Sequence, residues 1–334
     1  MKSSAASMMV LGAMMAFGGV APDGGDDRWQ IVMAADFDSD GMMDVLWNDP
    51  HDNLVTVWLM AGAVLRAPGP IITGPPGDEW SVTTADFNRD GMSDVVWSNA
   101  DSNRFAVWFM NGASVLAPGP EIPGPTGDDW ALASGESDFN ADGYTDVLFR
   151  QAKTNLFTVW LMNGGTVLAR GPALQGPTGD EWSVSTTADF NGDGMGDIIW
   201  VDATNVRAAI WLMNGTELLA RGPSVSGPRG SGWTLVASAG DVDFDGMADL
   251  VWTNDQRSLS AVWRMRGTSL LAKGPLVAGP EDEGWSVVTT GDMNGDGTMD
   301  LLWQAEKPTR MATWLMRGTS VAQAGPVIEG PKAP

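Results

Sequence analysis

The chain has 334 residues, of which 43% are hydrophobic, so it is long enough and apolar enough to bury a sizeable core. Its 42 acidic residues outnumber 19 lysines and arginines, and the formal net charge of −23 argues against a nucleic-acid partner, which would need clustered basic residues. There is no cysteine, which excludes disulfide bonds and a thiol nucleophile.

The first 28 residues lie outside the pattern that fills the rest of the chain. Lys2 precedes an apolar run from Ala5 to Phe17, and the small residues Gly19 and Ala21 follow, which predicts a cleaved signal peptide over 1–21 and a linker over 22–28. A disordered tail or an extra outer strand is the alternative. The run is too short and too rich in glycine for a membrane span, and no later segment qualifies. We therefore expect a secreted or cell-surface protein.

From residue 29 onwards the sequence repeats with a period close to 51 residues. The same acidic loop opens six times at spacings of 50, 52, 51, 52 and 51 residues, starting from Asp36. The units cover 29–79, 80–129, 130–181, 182–232, 233–284 and 285–334. Self-similarity of this kind indicates one closed or stacked repeat domain rather than two or three unrelated domains.

Each unit reads as four short strands. In the second unit they are predicted over Trp80–Ala85, Asp94–Trp97, Phe105–Met110 and Val115–Ile122, because these segments are β-branched or aromatic and are bounded by Gly and Pro. Four antiparallel strands every ~40–50 residues are typical of a β-propeller blade. The sequence thus predicts an all-β propeller of six four-stranded blades; a seventh would require residues 1–28 or a second chain.

The acidic loop lies between the first and second strands and has the oxygen pattern of a calcium site. Carboxylate or carboxamide oxygens at positions 1, 3, 5 and 9, a main-chain carbonyl at 7 and Gly at 6 suit Ca²⁺. The Glu that an EF-hand carries at position 12 is replaced by an aromatic residue, so the loop is not an EF-hand. The predicted calcium ligands are Asp36, Asp38, Asp40, Met42, Asp44, Asp86, Asn88, Asp90, Met92, Asp94, Asp138, Asn140, Asp142, Tyr144, Asp146, Asp189, Asn191, Asp193, Met195, Asp197, Asp241, Asp243, Asp245, Met247, Asp249, Asp292, Asn294, Asp296, Thr298 and Asp300.

The charge of these loops explains much of the acidity of the chain. Loops one and five hold four carboxylates each and the other four hold three, which makes 20. About six structural Ca²⁺ ions would add 12 positive charges and change −23 to about −11. Since Asp38 and Asp243 stand where the other loops have Asn, loops one and five are expected to bind calcium most tightly.

All 17 tryptophans belong to the repeat and fall into three sets. One set opens each unit, one follows the loop and one lies 11 residues further on, with Phe149 replacing a member of the second set. Their fixed positions predict a core between the blades, whereas stacking on sugars is the alternative reading.

The loop and the segment after it resemble a known family. The segment from Asp189 to Trp200, followed by Trp211-Leu-Met-Asn-Gly215, is similar to the FG-GAP or VCBS-type repeats found in integrin α-chain propellers, some fungal lectins and many secreted bacterial proteins. The resemblance covers about 29–330, although the literal Phe-Gly and Gly-Ala-Pro signatures are replaced by Trp and Gly-Pro. It implies that the calcium loops lie on one face of a disc, joining the innermost strand to the second.

The opposite face is then expected to carry the loops between the second and third strands, which are the most diverse segments of the repeat. We predict a glycan or extracellular protein ligand on that face, in an adhesion or carbohydrate-binding role, with calcium structural. Merely solvated turns are the alternative. Basic residues that could meet an anionic ligand there are Arg104, Lys153, Arg207, Arg257 and Arg310.

An enzyme is the second hypothesis, since related propellers act on polysaccharides or phospholipids. The chain has one histidine, His51 in a variable loop, and one tyrosine, Tyr144 inside the third calcium loop. General acid–base chemistry usually needs such a group held near a cleft, so we expect no catalytic residues and no enzyme activity. A purely structural scaffold is the third hypothesis.

Overall fold

The computed structural model describes residues 28–77, 80–179, 181–236, 240–281, 284–305 and 309–332. The predicted signal peptide, and the linker apart from Arg28, lie outside the described residues. Within the described part of the chain, no helix is both long and apolar enough to cross a bilayer.

Six antiparallel sheets form in chain order, one from each unit. In blades one to three the outer strand is divided in two. Blade one consists of β1 (Gln30–Ala35), β2 (Asp44–Asp49), β3 (Leu54–Ala61), β4 (Val64–Pro68) and β5 (Ile72–Thr73). Blade two consists of β6 (Trp80–Ala85), β7 (Asp94–Asn99), β8 (Arg104–Asn111), β9 (Ser114–Ala117) and β10 (Ile122–Pro123). Blade three consists of β11 (Trp130–Ser137), β12 (Asp146–Gln151), β13 (Leu156–Asn163), β14 (Thr166–Arg170) and β15 (Leu174–Gln175).

In blades four to six the outer strand is continuous. Blade four consists of β16 (Trp182–Ala188), β17 (Asp197–Asp202), β18 (Arg207–Asn214) and β19 (Glu217–Ser226). Blade five consists of β20 (Thr234–Leu235), β21 (Leu250–Asn254), β22 (Leu259–Arg266) and β23 (Ser269–Ala278), with a short 3-10 turn at Asp255–Arg257. Blade six consists of β24 (Trp285–Gly291), β25 (Asp300–Ala305), β26 (Arg310–Arg317) and β27 (Ser320–Glu329).

The strands of each blade pair in sequence order, which is a meander. Second strands such as β2, β7, β17 and β25 are buried at every position, because each lies in the middle of a blade with another blade on either side. First strands of neighbouring blades contact one another, for example β1 with β6 and β11 with β16, so they surround the axis of the disc. The predicted six-bladed propeller is confirmed.

The ring closes between blades one and six. β1 lies against β24 on the inside and β27 lies against β4 on the outside. The amide of Ile31 donates to Gln304 Oε1 at 3.1 Å, and the amide of Ala34 donates to Thr289 Oγ1 at 3.4 Å. Blades one and six are therefore direct neighbours, which excludes the seventh-blade alternative.

The tryptophans form the core between blades, as predicted. Members of the second set, such as Trp97 and Trp200, are fully buried, and the Phe149 that replaces one of them is 1% exposed. The outer edge of the ring meets a glycine of the preceding blade: a Cβ built on Gly74 would lie 2.5 Å from the Trp97 ring, and one on Gly176 would lie 2.6 Å from Trp200. The sugar-stacking reading does not suit these buried rings; in the third set, Trp108 and Trp314 are partly exposed.

Candidate metal centre

Each acidic loop turns sharply because two of its residues adopt the left-handed backbone conformation. Gly41, at position 6, has φ of 81°, and the glycines at position 6 of the other five loops lie between 82° and 87°. Position 4 also has positive φ, including Ser39 at 60° and Arg89 at 65°. The need for glycine at position 6, inferred from the sequence, is confirmed.

The aspartate at position 1 holds this turn together. Asp36 accepts the amides of Ser39 at 2.7 Å and Gly41 at 2.9 Å, one on each carboxylate oxygen. Asp189 repeats the arrangement with the amides of Gly192 and Gly194, at 2.7 and 2.8 Å. These bonds bring the carboxylate over the centre of the loop, where a ligand at position 1 would lie.

The aspartate at position 9 has a structural task that the sequence did not reveal. Asp44 is completely buried, and its two oxygens accept the amides of Phe37 at 3.0 Å and Met60 at 2.8 Å, so it fastens the loop to β3. The same pair of bonds, to the residue seven before and the residue sixteen after, is made by Asp94, Asp146, Asp197, Asp249 and Asp300. The constant spacing of these partners in all six units is the signal that could have found this role.

Burial makes the charged form of these carboxyls costly. Loss of water contact raises the pKa of Asp44 and of Asp300 to about 6, although the two backbone amides oppose the shift. The same cause raises the pKa of Asp94, Asp146, Asp197 and Asp249 to about 7. A cation in the loop would favour the ionised form and offset this cost.

Position 3 divides the six loops into two kinds. In loops two, three, four and six the Asn side chain donates to the position-5 carboxylate, as Asn191 does to Asp193 Oδ2 at 2.8 Å. In loops one and five the residue is Asp38 or Asp243, which cannot donate. Their Oδ1 atoms are buried and have no hydrogen-bond donor, and their Oδ2 atoms bind Arg66 and Arg264 respectively.

The donor set of these two loops fits a hard cation. Asp36, Asp38 and Asp40 bring one oxygen each within 4.8 Å of the others, and Asp241, Asp243 and Asp249 do the same. Among the residues that the structure describes, no other three acidic, histidine or cysteine side chains converge so closely. A buried carboxylate oxygen without a donor is expensive unless a cation or a proton reaches it. The assignment of calcium ligands at positions 1, 3, 5, 7 and 9 of the six loops stays a prediction.

The loops are also bonded to one another around the axis. The position-8 residue of one loop donates to the position-1 carbonyl of the loop before it, as the amide of Ser93 does to Asp36 at 2.7 Å. Equivalent links join Gly196 to Asp138 and Ala248 to Asp189, both at 2.7 Å. Two further links are the amide of Met43 with Asp292 at 2.9 Å and the hydroxyl of Thr145 with Asp86 at 2.9 Å. The candidate sites therefore form one connected set.

A cavity of about 480 Å³ lies on the axis at the face with the acidic loops. Glu136 reaches into it from β11, where two register shifts accommodate the extra length of the strand. Its carboxylate accepts the hydroxyls of Thr83 at 3.0 Å and Thr186 at 2.7 Å, which belong to the blades on either side. Burial raises the pKa of Glu136. The signal in the sequence for this position of Glu136 is the distance from Trp130 to the acidic loop, which is one or two residues longer than in units one, two, four and six.

The loops between second and third strands lie on the opposite face, together with the loops that lead into each blade. Asn53, Asn103 and Asn155 each donate to a proline carbonyl of the following connection, at 2.5, 2.6 and 2.6 Å. The expected division of loops between two faces is thus seen in the hydrogen bonds.

The basic residues of this opposite face are already engaged within the chain. Arg104 pairs with Glu121 at 3.3 Å and Lys153 with Asp129 at 2.7 Å. Arg207 binds Asp202 and lies over the ring of Trp182, and Arg310 lies over Trp285 at 5.2 Å. Arg257 is exposed. Contact of these side chains with an anionic ligand stays a prediction, and for all but Arg257 such a ligand would compete with the partners named above.

His51 lies at the same face and is exposed. Its ring nitrogen Nδ1 lies 3.0 Å from Asp52 Oδ1, and Asp52 is bound in turn by Arg28 at 2.5 Å. Tyr144 stacks under the guanidinium of Arg89, with 4.9 Å between that group and the ring centre. The two side chains lie in different loop sets and do not come together in one cleft.

Comparison with known proteins agrees with this architecture. Solved structures of similar fold include a complex of BBS1N with ARL6DN (TM-score 0.52, 10% identity, covering 90% of this chain and 95% of that one). They also include AofleA from Arthrobotrys oligospora (TM-score 0.53, 10% identity, 93% and 92% covered) and virginiamycin B lyase from Staphylococcus aureus (TM-score 0.50, 12% identity, 91% and 85% covered). At these identities the likeness shows the fold alone. No curated protein matches the chain in sequence.

A family model describes the repeat itself. The model of the FG-GAP-like repeat matches residues 36–97, 138–200, 189–252 and 241–303, which together make up more than half of the chain. Each matched range begins at position 1 of an acidic loop and ends at the tryptophan within the second strand of the next blade. The chain belongs to the FG-GAP-like repeat family.

Proposed function

We propose that this protein is a calcium-stabilised binding module whose ions are structural. The observation that carries the proposal is the pair of buried oxygens, Asp38 Oδ1 and Asp243 Oδ1, which point into acidic loops and have no donor. Calcium, when bound, would supply the positive charge that these loops lack. The side chains at positions 1, 3, 5 and 9 would hold it, and position 9 would at the same time keep the loop fastened to the third strand.

We further propose that the partner is a glycan or an extracellular protein, held on the face opposite the calcium loops. Support comes from the sequence diversity of the loops there and from the rigid blades that present them. The internal pairing of the arginines implies recognition by exposed polar tips, such as Asp101, Thr204 and Gln256, more than by free positive charge. BBS1N, a similar fold, was solved in complex with ARL6DN, which shows that such a disc can accommodate a protein partner.

The proposed location is outside the cell. Its support is the apolar run after Lys2, together with an acidity that millimolar extracellular calcium would offset in part. Expression of the full chain fused to a reporter, with and without residues 1–21, would test export directly.

Melting the protein in excess calcium and in excess EDTA tests the calcium proposal. One site filled at a hundred times its Kd stabilises the folded state by about 2.7 kcal/mol. Filling only two of the six loops should therefore already raise the melting temperature by about 10 °C, and metal analysis of the fully loaded protein should find about six ions per chain. Magnesium serves as the matched control ion, since it is smaller and gives up its water reluctantly. Equal melting temperatures in calcium and EDTA would refute the proposal.

The ligand face is tested by screening calcium-loaded protein against glycan and extracellular-protein arrays. Once a hit is found, the triple variant Asp101→Lys, Thr204→Lys and Gln256→Lys should weaken it at least ten-fold without changing the melting temperature by more than a few degrees. Glu217→Lys, exposed on the outer strand of blade four, is the matched control. Normal binding by the triple variant would place the ligand elsewhere.

A further inference from the structure

Two arginines occupy repeat positions that are otherwise uncharged. Arg66 lies on β4 where the other blades have Leu116, Leu168, Leu219, Leu271 and Ala322. Arg264 lies on β22 where they have Leu59, Phe109, Leu161, Leu212 and Leu315. These arginines occur in units one and five, the two units that carry Asp at position 3 of the loop.

Both arginines reach the additional carboxylate, although they start from different strands. Arg264 Nη1 donates to Asp243 Oδ2 at 2.7 Å. Arg66 binds Asp38 Oδ2 and also donates from Nη1 to Asp40 Oδ2 at 2.8 Å. The two arginines lie at different positions of the repeat but contact the same position of the loop. An arginine is therefore found where the loop has Asp at position 3, whichever strand it comes from.

The charge balance of the six loops shows what the pairing does. Loops one and five have four carboxylates and one paired arginine, which leaves −3; loops three, four and six have three carboxylates and no basic residue, which is also −3, whereas loop two carries Arg89 beside its three carboxylates. The additional aspartate thus gives no additional net charge. Arg66 and Arg264 therefore offset the higher calcium affinity that the number of carboxylates alone predicts for loops one and five.

We propose that Arg66 and Arg264 are internal counter-cations of loops one and five, which stabilise these loops without metal and lower their affinity for calcium. The proposal rests on the proposed calcium function. In each loop the arginine binds one oxygen of the position-3 carboxylate and leaves the other, Oδ1, facing inward without a donor. The carboxylate is held in position for the ion, while the nearby positive charge opposes its entry.

Loop one should be affected more strongly than loop five. Arg66 also binds Oδ2 of Asp40, the position-5 ligand, whose Oδ1 is already taken by the amide of Met42 at 2.9 Å. An ion in loop one must displace the guanidinium from Asp40. In loop five Arg264 contacts the position-3 carboxylate, and Asp245 accepts the amide of Met247 at 3.0 Å. Loop five therefore keeps a position-5 oxygen available.

The test replaces each arginine by the leucine that the other blades carry. In a calorimetric calcium titration, Arg66→Leu and Arg264→Leu should each tighten one site by about five-fold, the effect of one unit charge on a divalent ion at about 8 Å in water, with the larger change for Arg66→Leu. In EDTA the same variants should melt at a lower temperature than the parent, because the carboxylates have lost their counter-charge. Arg66→Lys should restore both properties in part.

Loop four provides the matched control in the same molecule. Asn191→Asp adds a fourth carboxylate without an arginine and should tighten that site. Adding Leu219→Arg, at the repeat position of Arg66, should return its affinity towards the parent value. Leu219 is exposed, so the second change does not disturb the core.

The outcomes separate this proposal from the calcium function. A general loss of packing would lower the melting temperature in calcium as well as in EDTA and would not tighten binding. If calcium binds but the leucine variants bind it equally well or more weakly, the counter-cation role is wrong. If the parent protein binds no calcium in any loop, the proposed function itself fails.

Discussion

Position 9 of the acidic loops shows how one carboxylate can act on both the fold and the metal. In Asp197 the two oxygens accept the amides of Phe190 at 3.0 Å and Met213 at 2.9 Å, in a site that water does not reach. The side chain therefore connects the loop to the third strand whether or not an ion is present. Position 5, represented by Asp193, is exposed and bonds mainly within its own loop.

We expect Asp197→Ala and Asp193→Ala to differ in EDTA. The first leaves two buried amides without acceptors, at about 1–3 kcal/mol each, and part of this is recovered because a desolvated charge is removed, so a net loss of about 2 kcal/mol is expected. The second should cost less than about 0.5 kcal/mol, as is usual for exposed positions. Chemical denaturation in EDTA measures both, and equal losses would contradict the structural role of Asp197.

The raised pKa of the position-9 carboxyls predicts a pH dependence of stability that calcium should remove. In the metal-free protein these groups keep their protons up to about pH 6–7, whereas in the unfolded chain they lose them near 3.8. The folded state binds more protons over this window, so its stability should fall as the pH rises from 4 to 7. In saturating calcium the ion holds these carboxyls ionised in the folded state, as they already are in the unfolded chain above about pH 5, so this fall should disappear.

Thermal melts at pH 5 and pH 8 measure this difference: in EDTA the melting temperature should be lower at pH 8, and in calcium it should be nearly the same at both pH values. The lowered pKa of Asp296 acts below pH 3.8 and does not enter the window. If the EDTA protein melts at a higher temperature at pH 8 than at pH 5, the buried carboxyls do not govern its stability.

At this scale, the sequence predicted the loop residues well but not their partners. The oxygen pattern lies within nine consecutive residues and can be read directly. Arg66 lies 28 residues from Asp38, and Glu136 meets threonines 53 and 50 residues away, so these contacts need the folded ring. The same reason explains why the ion pairs of the basic residues on the opposite face could not be predicted.

The outer strand is the element in which glycine decides how closely blades approach. Gly222 lies on β19 where the register with β18 shifts. A Cβ there would lie 2.4 Å from the carbonyl oxygen of Ile210 and 2.6 Å from Cβ of Thr268, which belongs to the β22–β23 turn of the next blade. Gly171 and Gly274 meet Thr216 and Thr319 in the same way. This glycine allows each turn to pack onto the preceding blade.

We expect Gly222→Ala to lower the stability of the protein by about 1–3 kcal/mol, since the backbone oxygen it would meet cannot move without breaking the strand pair. Ser224→Ala, two residues further along the same strand and exposed, is the control and should change stability by less than about 0.5 kcal/mol. Calcium-saturated denaturation compares the two. An unchanged Gly222→Ala variant would mean that blades four and five do not pack as described.

The ends of strands were predictable where a tryptophan, an acidic loop or a Gly-Pro pair marks them in the sequence. The first strand of blade two was predicted over the residues that form β6, because Trp80 opens it and the acidic loop ends it. The outer strand was predicted as a single strand over Val115–Ile122, whereas the structure divides it into β9 and β10. Gly119 and Pro120 interrupt it, and in blades four to six the corresponding Gly-Pro pair is tolerated within a continuous strand.

Over the whole molecule, the period of the repeat was enough to predict six blades, because each unit contributes one complete sheet. The seam between blades one and six was not predictable from the sequence. Its bonds join residues more than 250 positions apart, such as the amide of Ile31 and Gln304, which are separated by 273. No strand is shared across the seam, so it resembles the other five junctions.

A circular permutant should therefore fold. New ends between Arg229 and Gly230, both exposed, with residues 330 and 29 joined by five residues as between Gly279 and Trp285, preserve every sheet. We expect its calcium-saturated melting temperature to lie within a few degrees of the parent value. Ends placed inside β18, between Ala208 and Ala209, are the control and should prevent folding. A permutant that does not fold would show that the seam depends on the native chain order.

The hydrogen bonds between neighbouring loops all have the same direction around the axis, with the donor on the later loop and the acceptor on the earlier one. Loops one to five each donate a hydrogen bond to the loop before them around the ring, so a distorted loop deprives the following blade of an acceptor and the preceding blade only of a donor. A substitution in one loop should therefore destabilise the following loop more than the preceding one. In Asp138→Ala, amide hydrogen exchange should accelerate at Gly196, which donates to residue 138, more than at the loop that opens with Asp86. A symmetric response would mean that these links transmit nothing.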